Sequence, residues 1–115
     1  MAVKLHEAGR RFAQSLIAEG KSVRDERDAW SEHQPSTDEE NRFIEAHGMA
    51  EYGKWHLGVD DEHAADTKGH WKYPYGDFER AHRCGLLAAE TRAGRNKHLD
   101  IERAAHQLHL KIEGG

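Results

Sequence analysis

The sequence predicts a mostly α fold: a single compact domain of about five helices, with an extended aromatic connector before the fourth helix. The chain has 115 residues, which is enough for one domain with a small core. Only 37% of the residues are hydrophobic and 33% are charged, so the apolar side chains must gather on one face of each element. In most of the chain they recur every three or four positions, which is the helical period. We therefore expect residues 1–115 to form one helical domain.

The first two predicted helices occupy the N-terminal third of the chain. The first runs from Val3 to Glu19, and its apolar residues at helical spacing are Leu5, Ala8, Phe12 and Leu16. The second is short and polar and runs from Val23 to His33. Ser22 and Asp25 resemble a capping box at its start, and Pro35 stops it.

The third predicted helix runs from about Ser36 to Leu57. Its start carries a capping box, formed either by Ser36 with Glu39 or by Thr37 with Glu40. One face of this helix collects the residues that we expect to pack: Phe43, Ala46, Ala50, Gly53 and Leu57.

An extended connector precedes the fourth helix. Aromatic residues alternate along the segment from Trp71 to Tyr75, which is the period of a strand. Pro74 lies inside this segment, and proline cannot donate a backbone hydrogen bond to a central strand. The connector is therefore predicted to be extended, or an edge strand.

The last two predicted helices supply most of the core. The fourth starts at Phe78, with Asp77 as its N-cap and Gly94 as its C-terminal cap. Its packing face is rich in small residues: His82, Gly85, Leu86, Ala89 and Ala93. Such a face lets another helix approach closely, so we expect the tightest helix contact here. The fifth starts at Asp100, and its core face contains Ile101, Ala104, Ala105, Leu108 and Ile112.

Three segments in the second half of the chain stand out: KYPYGDF at 72–78, HRCGLLAAETRAG at 82–94 and DIERAAHQL at 100–108. Together they resemble a family of small, uncharacterised bacterial proteins, and the resemblance implies no established activity. The order of these elements is also similar to helical segments of tailed-phage head-maturation polypeptides. That similarity implies a compact helical unit and no catalytic residue.

The charge is unevenly distributed. The net charge of −4 combines +2 over residues 1–21, −9 over residues 22–66 and +3 over residues 67–115. The basic group Arg92, Arg95, Lys97 and Arg103 surrounds the last interhelical turn. We expect it to face the acidic middle of the chain rather than an external anion, so nucleic-acid binding is not predicted. There is no membrane-length apolar run, and we expect a cytoplasmic protein.

Ten histidines raise the question of a metal site. The last helix carries four side chains on one stripe: His98, Glu102, His106 and His109. Imidazole and carboxylate groups converging from rigid elements bind divalent transition metals. No HExxH signature accompanies the stripe, so a polar border along the core is the competing interpretation.

His82 and Cys84 suggest a base and a nucleophile. Two positions apart on a helix they point in different directions, so we do not expect them to form a dyad. His82 is predicted to be a core histidine bonded to a carbonyl or an acidic group. Cys84 is predicted to be a small packing residue, although Arg80 and Arg83 nearby would lower the pKa of its thiol and favour a reactive cysteine.

No phosphate-binding glycine loop, GxSxG or CxxC motif is present. The sequence therefore favours a non-catalytic binding or regulatory helical module that acts through protein–protein contacts, in a homo-oligomer or with a protein partner, without a cofactor. The alternative is a small metal-binding protein or metal-dependent enzyme that uses the histidine and glutamate stripe.

Overall fold

A computed structural model describes residues 3–114, which form six α-helices and five short strands. The strands are β1 (Val3–Leu5), β2 (Ser22–Val23), β3 (His56–Asp60), β4 (Trp71–Pro74) and β5 (Ala81–His82). The helices are α1 (Glu7–Ala18), α2 (Trp30–His33), α3 (Thr37–His47), α4 (Met49–Gly53), α5 (Arg83–Arg95) and α6 (Leu99–Gly114). A single turn of 3₁₀-helix (Lys68–His70) precedes β4. The mostly α prediction holds, but the structure has six helices where about five were expected, and of its two small sheets only β4 was predicted as a strand.

The strands form two small sheets. In the first the order is β1-β3-β4, all antiparallel, with Leu5 opposite Gly58 and Gly58 opposite Lys72. β4 lies at an edge of this sheet, as the proline in the connector predicted. The second sheet is a two-residue parallel pairing of β2 with β5, which aligns Ser22 with Ala81. This pairing holds two distant parts of the chain side by side.

Helices α5 and α6 pack against each other and against the first sheet to make the core. The predicted faces of both helices are buried, and every member of the predicted α6 face is at most 5% exposed. The small residues of α5 allow this close approach. Within residues 3–114, each helix is too short or too polar to cross a lipid bilayer.

Three predicted helices of the N-terminal half are wrong in their bounds. Val3–Leu5 pairs with β3, so the first helix begins at Glu7. Most of the predicted second helix is irregular, because residues 22–23 pair with β5 and only Trp30–His33 is helical. The predicted third helix breaks at Gly48, where φ is +90°, and Leu57 lies in β3. Long-range strand pairing overrides the local helical pattern at residues 3–5, 22–23 and 56–57, whereas the break at residue 48 lies at a glycine with positive φ. The capping box of Ser36 and Glu39 is confirmed.

The start of the predicted fourth helix is also wrong. Asp77 does not cap a helix: its Oδ1 accepts hydrogen bonds from the backbone N–H groups of Glu79 and Arg80, and closes a turn. The helix begins only at Arg83, and it continues through Gly94 to Arg95. An aspartate uses the same side-chain chemistry in a turn and at an N-cap, so the local pattern fits both.

His56 in β3 makes the fold sensitive to acid. Its side chain is buried, and Nδ1 lies 3.0 Å from the backbone oxygen of Tyr52. Burial lowers the pKa of His56 from 6.5 to about 4. Between these pH values the unfolded chain binds the extra proton and the folded chain does not, so stability falls as pH falls from about 6.5 towards 4.

We expect this histidine to contribute on the order of 2 to 3 kcal/mol to the loss of unfolding free energy across that interval. His56→Asn keeps an N–H donor near Tyr52 but cannot titrate, so it should flatten the profile. Urea denaturation of both proteins from pH 7.5 to pH 4 measures the effect. Parallel profiles for the two proteins would contradict this assignment.

Candidate metal centre

Four side chains from three separate parts of the chain converge beside the N-terminus of α5. Asp25 lies on the irregular segment after β2, and His33 ends α2. His82 ends β5 and Cys84 lies in the first turn of α5. The parallel pairing of β2 with β5 explains the convergence, because it places the residues that follow Val23 next to His82.

The carboxylate of Asp25 is the centre of the group. Its Oδ2 lies 2.7 Å from His82 Nδ1, 2.8 Å from His33 Nδ1 and 3.1 Å from Cys84 Sγ. Cys84 Sγ is also 3.6 Å from His33 Nδ1. One donor atom from each residue lies within 4.8 Å of the others.

Further contacts hold these side chains in place. Asp25 Oδ1 accepts the backbone N–H of Cys84 at 2.7 Å, and the backbone oxygen of Asp25 accepts a bond from Arg83 at 2.8 Å. The second ring nitrogen of His82, Nε2, lies 2.8 Å from Asp77 Oδ2. The same Asp77 therefore closes the turn with one oxygen and orients His82 with the other.

Burial and hydrogen bonding set the charges of the group. Burial alone would raise the pKa of Asp25, but hydrogen bonds from His82, Cys84 and His33 outweigh it and lower the pKa to about 2. Burial and the neighbouring Asp25 carboxylate raise the pKa of the Cys84 thiol to about 12. Without a cation the aspartate is ionised and the thiol stays protonated.

These facts confirm the predictions of Cys84 as a buried packing residue and of His82 as a core histidine, and they contradict the alternative of a reactive cysteine. The side chain of Cys84 is fully buried, and the basic neighbours do not lower the pKa of its thiol. A reactive cysteine needs the opposite environment, exposed and electropositive. His82 and Cys84 each bond to Asp25 rather than to each other, so His82 is the acid-bonded core histidine that the sequence predicted.

The donor types and spacing fit a tetrahedral transition metal. Zinc bonded at about 2.0 Å to nitrogen and about 2.3 Å to sulfur holds its ligand atoms about 3.3 to 3.8 Å apart. The contacts around Asp25 Oδ2 are shorter than this by roughly half an ångström, a shift that side-chain rotation can supply. His82 would bind through Nδ1 while Nε2–H donates to Asp77, the carboxylate partner that metal-bound histidines usually have.

The four stripe residues that the sequence suggested as ligands do not come together. His98 Nδ1 lies 2.6 Å from the hydroxyl of Tyr73, and the Glu102 side chain lies against Gly94. His106 and His109 do meet, but around Glu90 of α5. His98 and Glu102 therefore lie outside the group that His106 and His109 form, and the four do not form one metal site.

Sequence reasoning missed three residues of these groups. The spacing of Asp25 after Ser22 predicts a helix cap, and no local pattern marks His33 or Glu90 as a ligand. Sequence spacing links only the pairs that lie close together in the sequence, His82 with Cys84 and His106 with His109. The available signal was the density of acidic and histidine residues around 25–33 together with HRC at 82–84.

Comparison with known proteins gives no identity from which a function can be transferred: no family model, curated protein or solved structure matches the chain. The resemblance to small bacterial proteins and to phage head-maturation segments stays a prediction.

Proposed function

We propose that this chain is a non-catalytic metal-binding module whose Asp25, His33, His82 and Cys84 bind one divalent transition metal ion, zinc before others. The observation that carries the proposal is the convergence of one oxygen, two nitrogen and one sulfur donor within 4.8 Å. This refines the alternative drawn from the sequence and moves the site from α6 to the N-terminus of α5.

The ligand set favours zinc over the hard cations. Calcium and magnesium take six or more oxygen ligands, whereas sulfur and imidazole select zinc and its neighbours. The charges also balance, because a Cys84 thiolate and the Asp25 carboxylate together neutralise a divalent ion. Binding would deprotonate Cys84 despite the raised pKa of its thiol, as metal coordination does for thiols in general.

A structural role follows from the number and burial of the ligands. Four protein ligands complete a tetrahedron, whereas catalytic zinc sites keep a position for water or substrate. Asp25, His82 and Cys84 are almost inaccessible, and His33 has a side chain 37% exposed. The metal would fasten residues 24–33, which have little regular structure, onto α5.

The role in protein–protein contacts that the sequence favoured is kept as a prediction beside this one. A segment held in place by the metal would give such a module a fixed binding surface, because the entropy of ordering that segment is lost before a partner binds.

Cobalt(II) titration of metal-free protein tests the proposal. Cys84 is the single cysteine of the chain, so a sulfur-to-cobalt charge-transfer absorption can arise only from this residue. We expect the band to saturate at one cobalt per chain, independently of protein concentration, and to disappear when zinc is added.

Cys84→Ser should abolish the band and His82→Ala should weaken cobalt binding strongly. The matched control is His63→Ala, which removes an exposed histidine that is not a member of the group and should leave the titration unchanged. A wild-type protein without the band, or a band that needs two chains, would refute the proposal.

A further inference from the structure

A second cluster of metal-ligand side chains lies where α5 and α6 pack together. Glu90 on α5 faces His106 and His109, which are three positions apart on α6 and therefore on one side of that helix. Glu90 Oε2 is 2.9 Å from His106 Nδ1, and Glu90 Oε1 is 2.8 Å from His109 Nε2. One donor atom from each of the three lies within 4.8 Å of the others.

The two helices that carry this cluster pack closely beneath it. Ala89 and Ala93 of α5 and Ala105 of α6 are buried in the core close to the three side chains in sequence. Small residues at this interface hold the helix axes close, so Glu90 and the two histidines have little freedom to separate. Metal ligands need such support, because the geometry must exist before the ion binds.

His109 has the supporting contact of a metal-bound histidine. Its other ring nitrogen, Nδ1, lies 2.6 Å from Glu113 Oε2. Arg83 donates to the same oxygen of Glu113 at 3.0 Å and holds it in place. With Nδ1–H directed to Glu113, Nε2 of His109 would offer its lone pair to an ion that replaces its present contact with Glu90.

One side of the cluster is open. The side chain of His106 is 52% exposed and that of Glu90 is 24% exposed, while His109 is buried. A groove next to it is lined by two of the three ligands together with Leu99, Glu102 and Arg103. Three protein ligands and an accessible side match sites in which the fourth position is left to water or another small ligand.

We propose that Glu90, His106 and His109 form a second, exchangeable site for a divalent transition metal, with an open coordination position facing the groove. This site differs from the centre at Asp25 in its ligands, its accessibility and its lack of sulfur. It therefore binds metal more weakly and exchanges it faster. It does not depend on the metal role proposed for the centre at Asp25.

Cobalt(II) and zinc titrations followed by calorimetry test the second site. We expect two equivalents per wild-type chain, of which only the tighter one gives the sulfur-to-cobalt band. His106→Ala, at an exposed position, should remove the weaker equivalent and keep the band. Cys84→Ser should remove the band and keep the weaker equivalent. His63→Ala should keep both and so controls for adventitious binding to surface histidines.

Glu113→Gln tests the positioning contact. It retains the size of the side chain but weakens the support of His109, and we expect a loss of about 10- to 100-fold in affinity at the weaker site alone. NMR signals of the His106 and His109 rings should shift with the second equivalent. Persistence of that equivalent in His106→Ala, or its absence from the wild type, would overturn this inference and leave the Asp25 centre to be judged by its own band.

Discussion

Asp25→Ala is expected to lower the free energy of unfolding of the metal-free protein by about 3 to 5 kcal/mol. The carboxylate is 8% exposed and accepts bonds from His82, His33 and both the backbone and the thiol of Cys84. Removing it leaves the buried donors of His82 and Cys84 without their acceptor. Each unsatisfied buried donor costs about 1 to 3 kcal/mol.

Urea denaturation in the presence of a chelator measures this cost without a metal contribution. Asp28→Ala is the matched control, because Asp28 lies on the same segment and is exposed, so its removal should change stability by less than about 0.5 kcal/mol. A loss below about 1 kcal/mol for Asp25→Ala would mean that the hydrogen-bonded group does not form in solution. Replacing the chelator with one equivalent of zinc should stabilise the wild type more than the variant, which keeps only the weaker site.

Gly9→Ala is expected to destabilise the protein by more than about 4 kcal/mol, or to prevent folding. A Cβ atom at residue 9 would lie 2.0 Å from the backbone oxygen of His56 and 2.8 Å from His6 Nδ1. The oxygen belongs to β3, the central strand of the first sheet, so it cannot rotate away as a side chain does. Helix α1 would have to move off the sheet.

The expected loss of stability is opposite to what the helix propensities of glycine and alanine predict. In a helix interior alanine is more favourable than glycine by about 1 kcal/mol, so the same substitution would stabilise an isolated helix. Gly114→Ala in α6 provides the comparison, because nothing lies within 4 Å of a Cβ at that position. We expect that variant to be neutral or slightly more stable by thermal denaturation. Equal behaviour of the two variants would show that α1 does not lie against β3 as described.

The sequence predicts the parts of this fold that depend on local periodicity. The faces of α5 and α6 were predictable because small and apolar residues recur at the helical period and pack as that period implies. The strands were not, because β1, β2 and β5 have two or three residues each, too few to show a period of two. Their pairing is set by partners more than fifty residues away.

The ligands of the two candidate metal centres were likewise predictable only where they lie close together in the sequence. His82 and Cys84 are close in sequence and were noticed, but Asp25 has the spacing of a capping residue after Ser22 and was assigned to that role. His106 and His109 share a helix face and were grouped, whereas Glu90 comes from the neighbouring helix and replaces His98 and Glu102 around them. A ligand that lies on another element cannot be recognised from the local sequence pattern.

The distance along the chain between Asp25 and Cys84 affects the order in which this protein folds. The two residues are separated by 59 positions, and the strands that bring them together are similarly far apart. Closing so long a loop is slow, because its entropy must be lost before the contacts form. During synthesis β2 can therefore pair with β5, and Asp25 can contact Cys84, only after α5 has left the ribosome. Until then Asp25 and His33 lack both His82 and Cys84. Metal uptake would thus mark the completion of folding rather than its beginning.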